Sequence, residues 1–133
     1  MDFSKTTSYA ITVLNYLAKN GEKRFTAKEL NQELDIPWQY LRRLLTNLSK
    51  DGFIEGVKGR TGGFSLARNP REITIASIVE STEGMAIFNK CIMGFHECPS
   101  AEKCVMHDTW EQARDNIVSL LQNTTLDKFK GMR

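Results

Sequence analysis

No stretch of this chain approaches the run of about 18 apolar residues that a membrane-spanning helix needs, so no span is expected. The N-terminal MDFSKTTSYAITVLNYLAK lacks the order of a secretory signal: Lys5 precedes polar residues, and no small-residue cleavage site follows. The cytoplasm is therefore the expected setting. Thiols stay reduced there, and three cysteines, an odd number, are not expected to form disulfides. Before Cys91 there is no cysteine, no Ser/His/Asp set and no carboxylate pair with a reason to be special. The glycines near residue 60 are not followed by a helix carrying GK[ST], so they are not a nucleotide-phosphate loop. Catalysis is not indicated.

What is present, at 133 residues and 41% hydrophobic, suits one domain with a single core, or a small domain with an appendage. The net charge of +2 conceals a division. Residues 1–71 carry 12 Lys+Arg against 7 Asp+Glu, a net of +5, and residues 72–133 carry 6 against 9, a net of −3. A basic first half beside an acidic second half suggests that the first half faces a polyanion, although an ordinary solvated surface explains the charge count equally well.

Helical spacing of Ala10, Val13, Leu14 and Leu17 predicts a first amphipathic helix over 7–19, with Thr6, Thr7 or Ser8 as its cap and Asn20-Gly21 as its stop. Thr26 with Glu29 matches a capping box for a short helix that buries Ala27, Leu30 and Leu34. Pro37 breaks that helix and suits the first turn of the next, whose apolar stripe is Leu41, Leu44, Leu45 and Leu48. Two short helices joined by a tight turn have the form of a helix-turn-helix. Away from the leucines point Gln39, Arg42, Arg43 and Thr46, and Arg and Gln are the residue types that read guanine and adenine edges in a major groove. Trp38, at the helix start, either packs on the turn or touches a thymine methyl or sugar.

Phe53–Val57 and Phe64–Ala67 alternate like strands about the turn Lys58-Gly59-Arg60-Thr61-Gly62-Gly63. Glycines suit such a tip because they permit positive φ and close approach. Hairpin structure explains them but not the two cations, Lys58 and Arg60. A basic hairpin after a helix-turn-helix is a winged helix, with its wing on phosphates or in the minor groove. Residues 75–82 are expected to form a further helix packed on this domain.

All three cysteines and both histidines fall within CIMGFHECPSAEKCVMH, residues 91–107. Gly94, Pro99 and Ser100-Ala101 argue for loop, and the chain turns helical from about Cys104, which puts Cys104 and His107 at i and i+3. Four readings compete. A Cys3His zinc site is chemically sound but lacks the usual CxxC pair. An iron–sulfur cluster suits the longer ligand loops. A bare thiol sensor needs a single exposed cysteine. Idle cysteines are the plain alternative, weakened because none lies on an apolar helical stripe. Beyond the loop, Trp110, Ala113, Ile117, Leu120 and Leu121 form a stripe on a helix of roughly 106–122, a surface for dimerisation, for packing on the winged domain, or for both.

The chain resembles the winged-helix regulator family that includes the iron–sulfur regulators IscR and NsrR. The likeness rests on TSYAITVLNYLA, IPWQYLRRLL, VKGRTGGFSLAR, the cysteine loop and the closing NTTLDKF, and so covers nearly the whole sequence. It implies a homodimeric, DNA-binding transcription regulator, not an enzyme, that recognises palindromic double-stranded DNA. It makes Cys91, Cys98 and Cys104 the cluster thiolates. In IscR-like members a histidine three residues after the last cysteine completes the set, and His107 matches. In NsrR-like members a carboxylate near the partner's N-terminus does so, and the corresponding Ser8 cannot play that part. His107 and Ser8 thus favour the IscR-like arrangement and 2Fe–2S; the first cysteine spacing, one residue longer than in typical IscR, cuts the other way and keeps 4Fe–4S open, and His96 is a spare ligand. The expected fold is α+β and mostly helical: a winged helix-turn-helix domain over 1–83, a cluster-binding loop over 84–107, and a dimerisation helix and tail over 108–133. DNA contact is expected from Trp38, Gln39, Arg42, Arg43, Lys58 and Arg60. The alternative is a winged-helix module with structural zinc and no sensing role.

Overall fold

The computed structural model describes residues 2–95 and 104–129. Among them, helix α1 spans Lys5–Lys19 and buries Ala10, Val13, Leu14 and Leu17, the stripe its spacing predicts. Its cap is Ser4, whose hydroxyl accepts from the Thr7 amide at 3.2 Å, and not Thr6, Thr7 or Ser8. The helix starts early because Thr7 faces inward and is fully buried, committed to contacts with a later helix.

Helix α2 (Ala27–Leu34) opens with the Thr26–Glu29 capping box and buries Leu30. The turn after it is built by three residues. Asp35 adopts φ 53°, a left-handed conformation that Asp tolerates better than most residues. Asn31 donates from Nδ2 to the Ile36 carbonyl at 2.6 Å. Ile36 itself is buried, which anchors the turn on the core. Pro37 then caps helix α3 (Trp38–Lys50), whose Leu41, Leu44, Leu45 and Leu48 are all buried.

Strands β1 (Ile54–Val57) and β2 (Gly63–Leu66) pair antiparallel, Ile54 opposite Leu66 and Val57 opposite Gly63. The segment before α2 joins this hairpin: the Phe64 amide donates to the Phe25 carbonyl at 2.7 Å, and the Phe25 amide to the Phe64 carbonyl at 3.0 Å. That close approach explains Gly63, which has φ +132° and where a Cβ would lie 2.7 Å from the Phe25 carbonyl carbon.

Helix α4 (Ile75–Thr82) is capped by Thr74 and buries Ile75, Ile78 and Val79. A 3-10 turn, Met85–Asn89, leads to the cysteine segment. Helix α5 (His107–Asn123) follows, and its exit returns to the start of α4. There the Ile75 amide donates to the Thr124 carbonyl at 3.0 Å, and the Leu126 amide to the Ile73 carbonyl at 2.8 Å. Leu121 and Leu126 are buried in the same core as the winged-helix leucines. No helix among the described residues is long and apolar enough to cross a membrane.

Glu83, just past α4, ties that helix to the start of α1. One carboxylate oxygen accepts from the Ser4 amide at 2.9 Å, from the Ser4 hydroxyl at 2.8 Å and from the Thr7 hydroxyl. Burial alone would raise this carboxyl; the hydrogen bonds from Thr7 and Ser4 outweigh it and hold it below the usual glutamate range. A carboxyl depressed in the folded state stabilises fully above its unfolded pKa and loses that contribution as pH falls through the folded one. Glu83→Ala is expected to cost about 1–2 kcal/mol at neutral pH, discounted for partial solvation. In acid titration followed by circular dichroism, the gap between wild type and variant should close below the normal glutamate range. Gly63→Ala is expected to destabilise the wing by about 2–4 kcal/mol, read as a lower denaturant midpoint, because strain and a backbone clash combine.

Candidate nucleic-acid interface and cysteine site

The four buried leucines of α3 lie on one side, so the remaining positions must face out. Gln39, Arg42 and Arg43 are exposed, and Trp38 is 45% exposed. The Thr46 hydroxyl donates to the Arg42 carbonyl at 3.0 Å. Among the described residues, Arg42 and Arg43 have no ion-pair partner. Tyr40 was not singled out by its spacing, yet it is 53% exposed and sits edge-on to Tyr9 of α1, with ring centroids 5.9 Å apart. The signal was there: Tyr40 precedes Leu41 and so falls off the leucine stripe.

The wing separates its cations into two kinds. Arg68 serves the fold, donating to the Asp51 carbonyl at 2.8 Å and lying 4.6 Å from the centroid of the Phe53 ring. Lys58 and Arg60, at the tip, are exposed and have no ion-pair partner among the described residues. Trp38, Arg42, Thr46 and Phe64 line an open groove between α3 and the wing. The outward side of α3, with its two arginines, and the wing tip, with its two cations, are thus both left in solvent, where cations best meet a polyanion.

Of the four expected soft ligands, Cys98 lies outside the described residues, as does His96. The other three come together. Cys91, Cys104 and His107 line one cavity of about 160 Å³, walled by Ile92, Met93, Phe95, Met106 and Trp110. Both cysteines are free thiols, half-buried. Helix α5 begins at His107, within a residue of the expected 106–122, and Cys104–Met106, where the chain was expected to turn helical, is a turn in which the His107 amide donates to the Cys104 carbonyl at 3.0 Å. No side chain hydrogen-bonds the start of α5 as a cap, where the first amides have no intrahelical partner in any helix. One amide nearby, that of Met106, donates to the Cys104 sulfur at 3.3 Å. A helix start of this kind favours negative charge, and a thiolate supplies it. The space far exceeds the roughly 30 Å³ share of a water molecule, so it has room for more than a single ion. Two thiols and an imidazole beside amide donors are a donor set that fits an iron–sulfur centre.

The expected contact stripe on α5 divides. Trp110 closes the cavity, its indole N–H donating to the Lys90 carbonyl at 3.1 Å. Ile117 is partly buried against the core and Leu121 is 7% exposed within it. Ala113 faces out, and Leu120 is 63% exposed. Ile92, Met93, Phe95 and Met106, which line the cavity, and Val105 next to Cys104 are exposed apolar side chains that spacing in the sequence does not single out.

Comparison with known proteins places this geometry. The sequence model of the Rrf2 family, described as "Iron-dependent Transcriptional regulator", matches residues 3–130. A putative HTH-type transcriptional regulator of Aquifex aeolicus is 34% identical over 128 residues, 95% of this chain and 89% of that protein. The HTH-type transcriptional regulator IscR of Pectobacterium atrosepticum is 27% identical over 122 residues, 91% of this chain and 74% of that protein. Among solved structures, CymR, the global cysteine regulator of B. subtilis, superposes with a TM-score of 0.82 at 26% identity, covering 100% of this chain and 98% of its own.

Trp110 is the link between the loop and α5 that can be cut with least disturbance. Trp110→Phe keeps the ring and removes the bond to Lys90, and is expected to cost about 1 kcal/mol. Amide exchange should speed up over residues 90–95 and the first turn of α5, while the α1 and α3 amides keep wild-type protection.

Proposed function

Since the chain belongs to the Rrf2 family of transcriptional regulators, we propose that it is a homodimeric cytoplasmic regulator whose affinity for palindromic DNA is controlled by an iron–sulfur cluster on Cys91, Cys98, Cys104 and His107. The observation that carries the reading is that Cys91, Cys104 and His107 line one cavity at the start of α5. Such a cluster, when bound, supplies a centre sensitive to redox state, nitric oxide and iron–sulfur supply.

The chain's own residues turn that sensitivity into position. Cys91 follows Lys90, whose carbonyl is held by Trp110 of α5. Cys104 precedes the first turn of α5 and bonds to its approach through the Met106 amide. A change in what the two thiols hold therefore acts on the N-terminal end of α5. The far end stays fixed on the winged helix through Ile73, Thr124 and Leu126. Outward-facing Ala113 and Leu120 would meet the same helix of a second copy about a two-fold axis. A tilt of α5 then alters the separation of the two α3 helices. A palindromic site demands half-sites about one DNA turn apart, about 34–36 Å, so a small tilt changes affinity steeply. On DNA, Gln39, Arg42 and Arg43 would read base edges, with Trp38 beside them, and Lys58 and Arg60 would meet phosphate or the minor groove.

The test is purification without oxygen, with a visible spectrum, assays of iron, sulfide and zinc, and DNA binding in a gel-shift titration. The expected result is a coloured protein with matched iron and sulfide that loses colour in Cys91→Ala and Cys104→Ala. A colourless protein with stoichiometric zinc would replace the sensor with a structural site. Arg42→Ala and Arg43→Ala should each weaken specific binding by about 1–3 kcal/mol, roughly 5- to 150-fold. Lys58→Ala should weaken all sequences alike and lower the salt slope by about one. Unchanged binding in both arginine variants would remove α3 from the interface.

A further inference from the structure

Helix α3 has two flanks, and the fold treats them differently. On the wing side the Thr46 hydroxyl is spent on the Arg42 carbonyl. On the other side a cleft of about 70 Å³ lies between α3 and α1, lined by Thr6, Tyr9, Tyr40, Arg43, Leu44 and Asn47. Tyr40, Arg43 and Asn47 are three and four residues apart and so share one side of the helix. Buried Leu44 lies beneath them. No acidic residue lines this cleft.

Tyr40 is placed there as a fixed donor. Its ring is 53% exposed, yet it is held edge-on by the Tyr9 ring at 70°, and Tyr9 in turn packs against the core. An edge-to-face pair of this kind favours one ring orientation. Among the described residues, neither the Tyr40 hydroxyl nor the Asn47 side-chain amide has a hydrogen-bond partner. Both are groups that donate to phosphate oxygens in protein–DNA contacts. The cleft holds a little over twice the roughly 30 Å³ share of a water molecule, room for phosphate oxygens but not for a base. A helix about 10–12 Å across fills a major groove about 12 Å wide, so a phosphate rim runs along each of its flanks. Lys58 and Arg60 of the wing answer to one rim. The other rim falls on the α1 side.

We propose that Tyr40 is a further DNA-positioning residue: its hydroxyl donates to a backbone phosphate on the groove rim opposite the wing, with Tyr9 holding the ring in place. The proposal rests on α3 entering the major groove. The contact carries no base information; it sets the register in which α3 sits, and leaves Arg43 beside it to the base edge.

The experiment uses the full chain, purified without oxygen, in gel-shift titrations over a range of salt. Its probes are a duplex that the wild type selects from a random-sequence pool and an unselected duplex. Tyr40→Phe keeps the ring and its contact with Tyr9, and its melting temperature should match wild type. It should weaken binding to both duplexes by about 10-fold. Its salt slope should stay unchanged, because no cation is lost. Single methylphosphonates are then walked through one half-site of the selected duplex. Wild type should lose affinity at a phosphate on the α1-side rim, where Tyr40→Phe is indifferent. Tyr40→Phe should still lose affinity at the wing's phosphate, where Lys58→Ala is the indifferent variant. Tyr40→Phe binding as tightly as wild type, losing preference at one base pair only, or sensing every phosphate that wild type senses overturns the proposal. If Arg42→Ala and Lys58→Ala also bind as wild type does, α3 is not in the interface, and the reading beneath the proposal falls with it.

Discussion

Helix α5 is fixed at one end only by its own fold, and the consequences run through the whole molecule. Its C-terminal end is locked by two backbone bonds to the segment around Ile73 and Ile75, and by burial of Leu121 and Leu126 in the shared core. Its N-terminal end has no side-chain cap and meets the rest of the chain at Trp110, Lys90 and the two thiols. The rod is thus held hard at one end and softly at the other. The same arrangement explains why the soft end is rich in sulfur and poor in apolar burial. Ile92, Met93 and Val105 remain exposed, and the first two also line the cavity, whose walls are mostly apolar.

The basic half of the chain shows a second division of labour. Seven arginines and lysines between residues 42 and 71 could all be counted toward a nucleic-acid face. Arg68 is spent on the fold, held by the Asp51 carbonyl and the Phe53 ring. Arg42, Arg43, Lys58 and Arg60 remain exposed. Desolvating a cation is costly, so a cation that the fold already engages is a poor partner for phosphate, and one that it leaves in water is a good one. Tying the wing to Phe25 gives those free cations a rigid base, since the hairpin shares backbone bonds with the segment that starts α2. The arrangement matches a family whose members are transcriptional regulators, not enzymes.

The repeating elements were legible in the sequence because burial imposes a period. The leucines of α3, the Thr26–Glu29 box and the alternation about Gly62-Gly63 each follow from contacts a few residues apart, and each is found. The start of α1 was misplaced for a reason of the opposite kind. Thr7 is turned inward by Glu83 and Thr82, some 75 residues along the chain, and local capping rules do not contain that partner. Glu83 carried no sign of its role for the same reason.

The sequence by itself determined the helix-turn-helix, the basic wing and the grouping of soft ligands within 17 residues, because period, turn chemistry and residue type are local properties. It also determined that α5 is amphipathic. Only the tertiary structure decided how that amphipathic face is divided: Leu121 goes to the core of its own chain, Trp110 goes to the Lys90 carbonyl, and Leu120 stays in water. Only the tertiary structure, too, brought Cys91 across to Cys104 and His107 and set Glu111 against Nε2. The physical reason is that a periodic stripe fixes which side of a helix is apolar, whereas the surface it meets is made by residues far away in sequence.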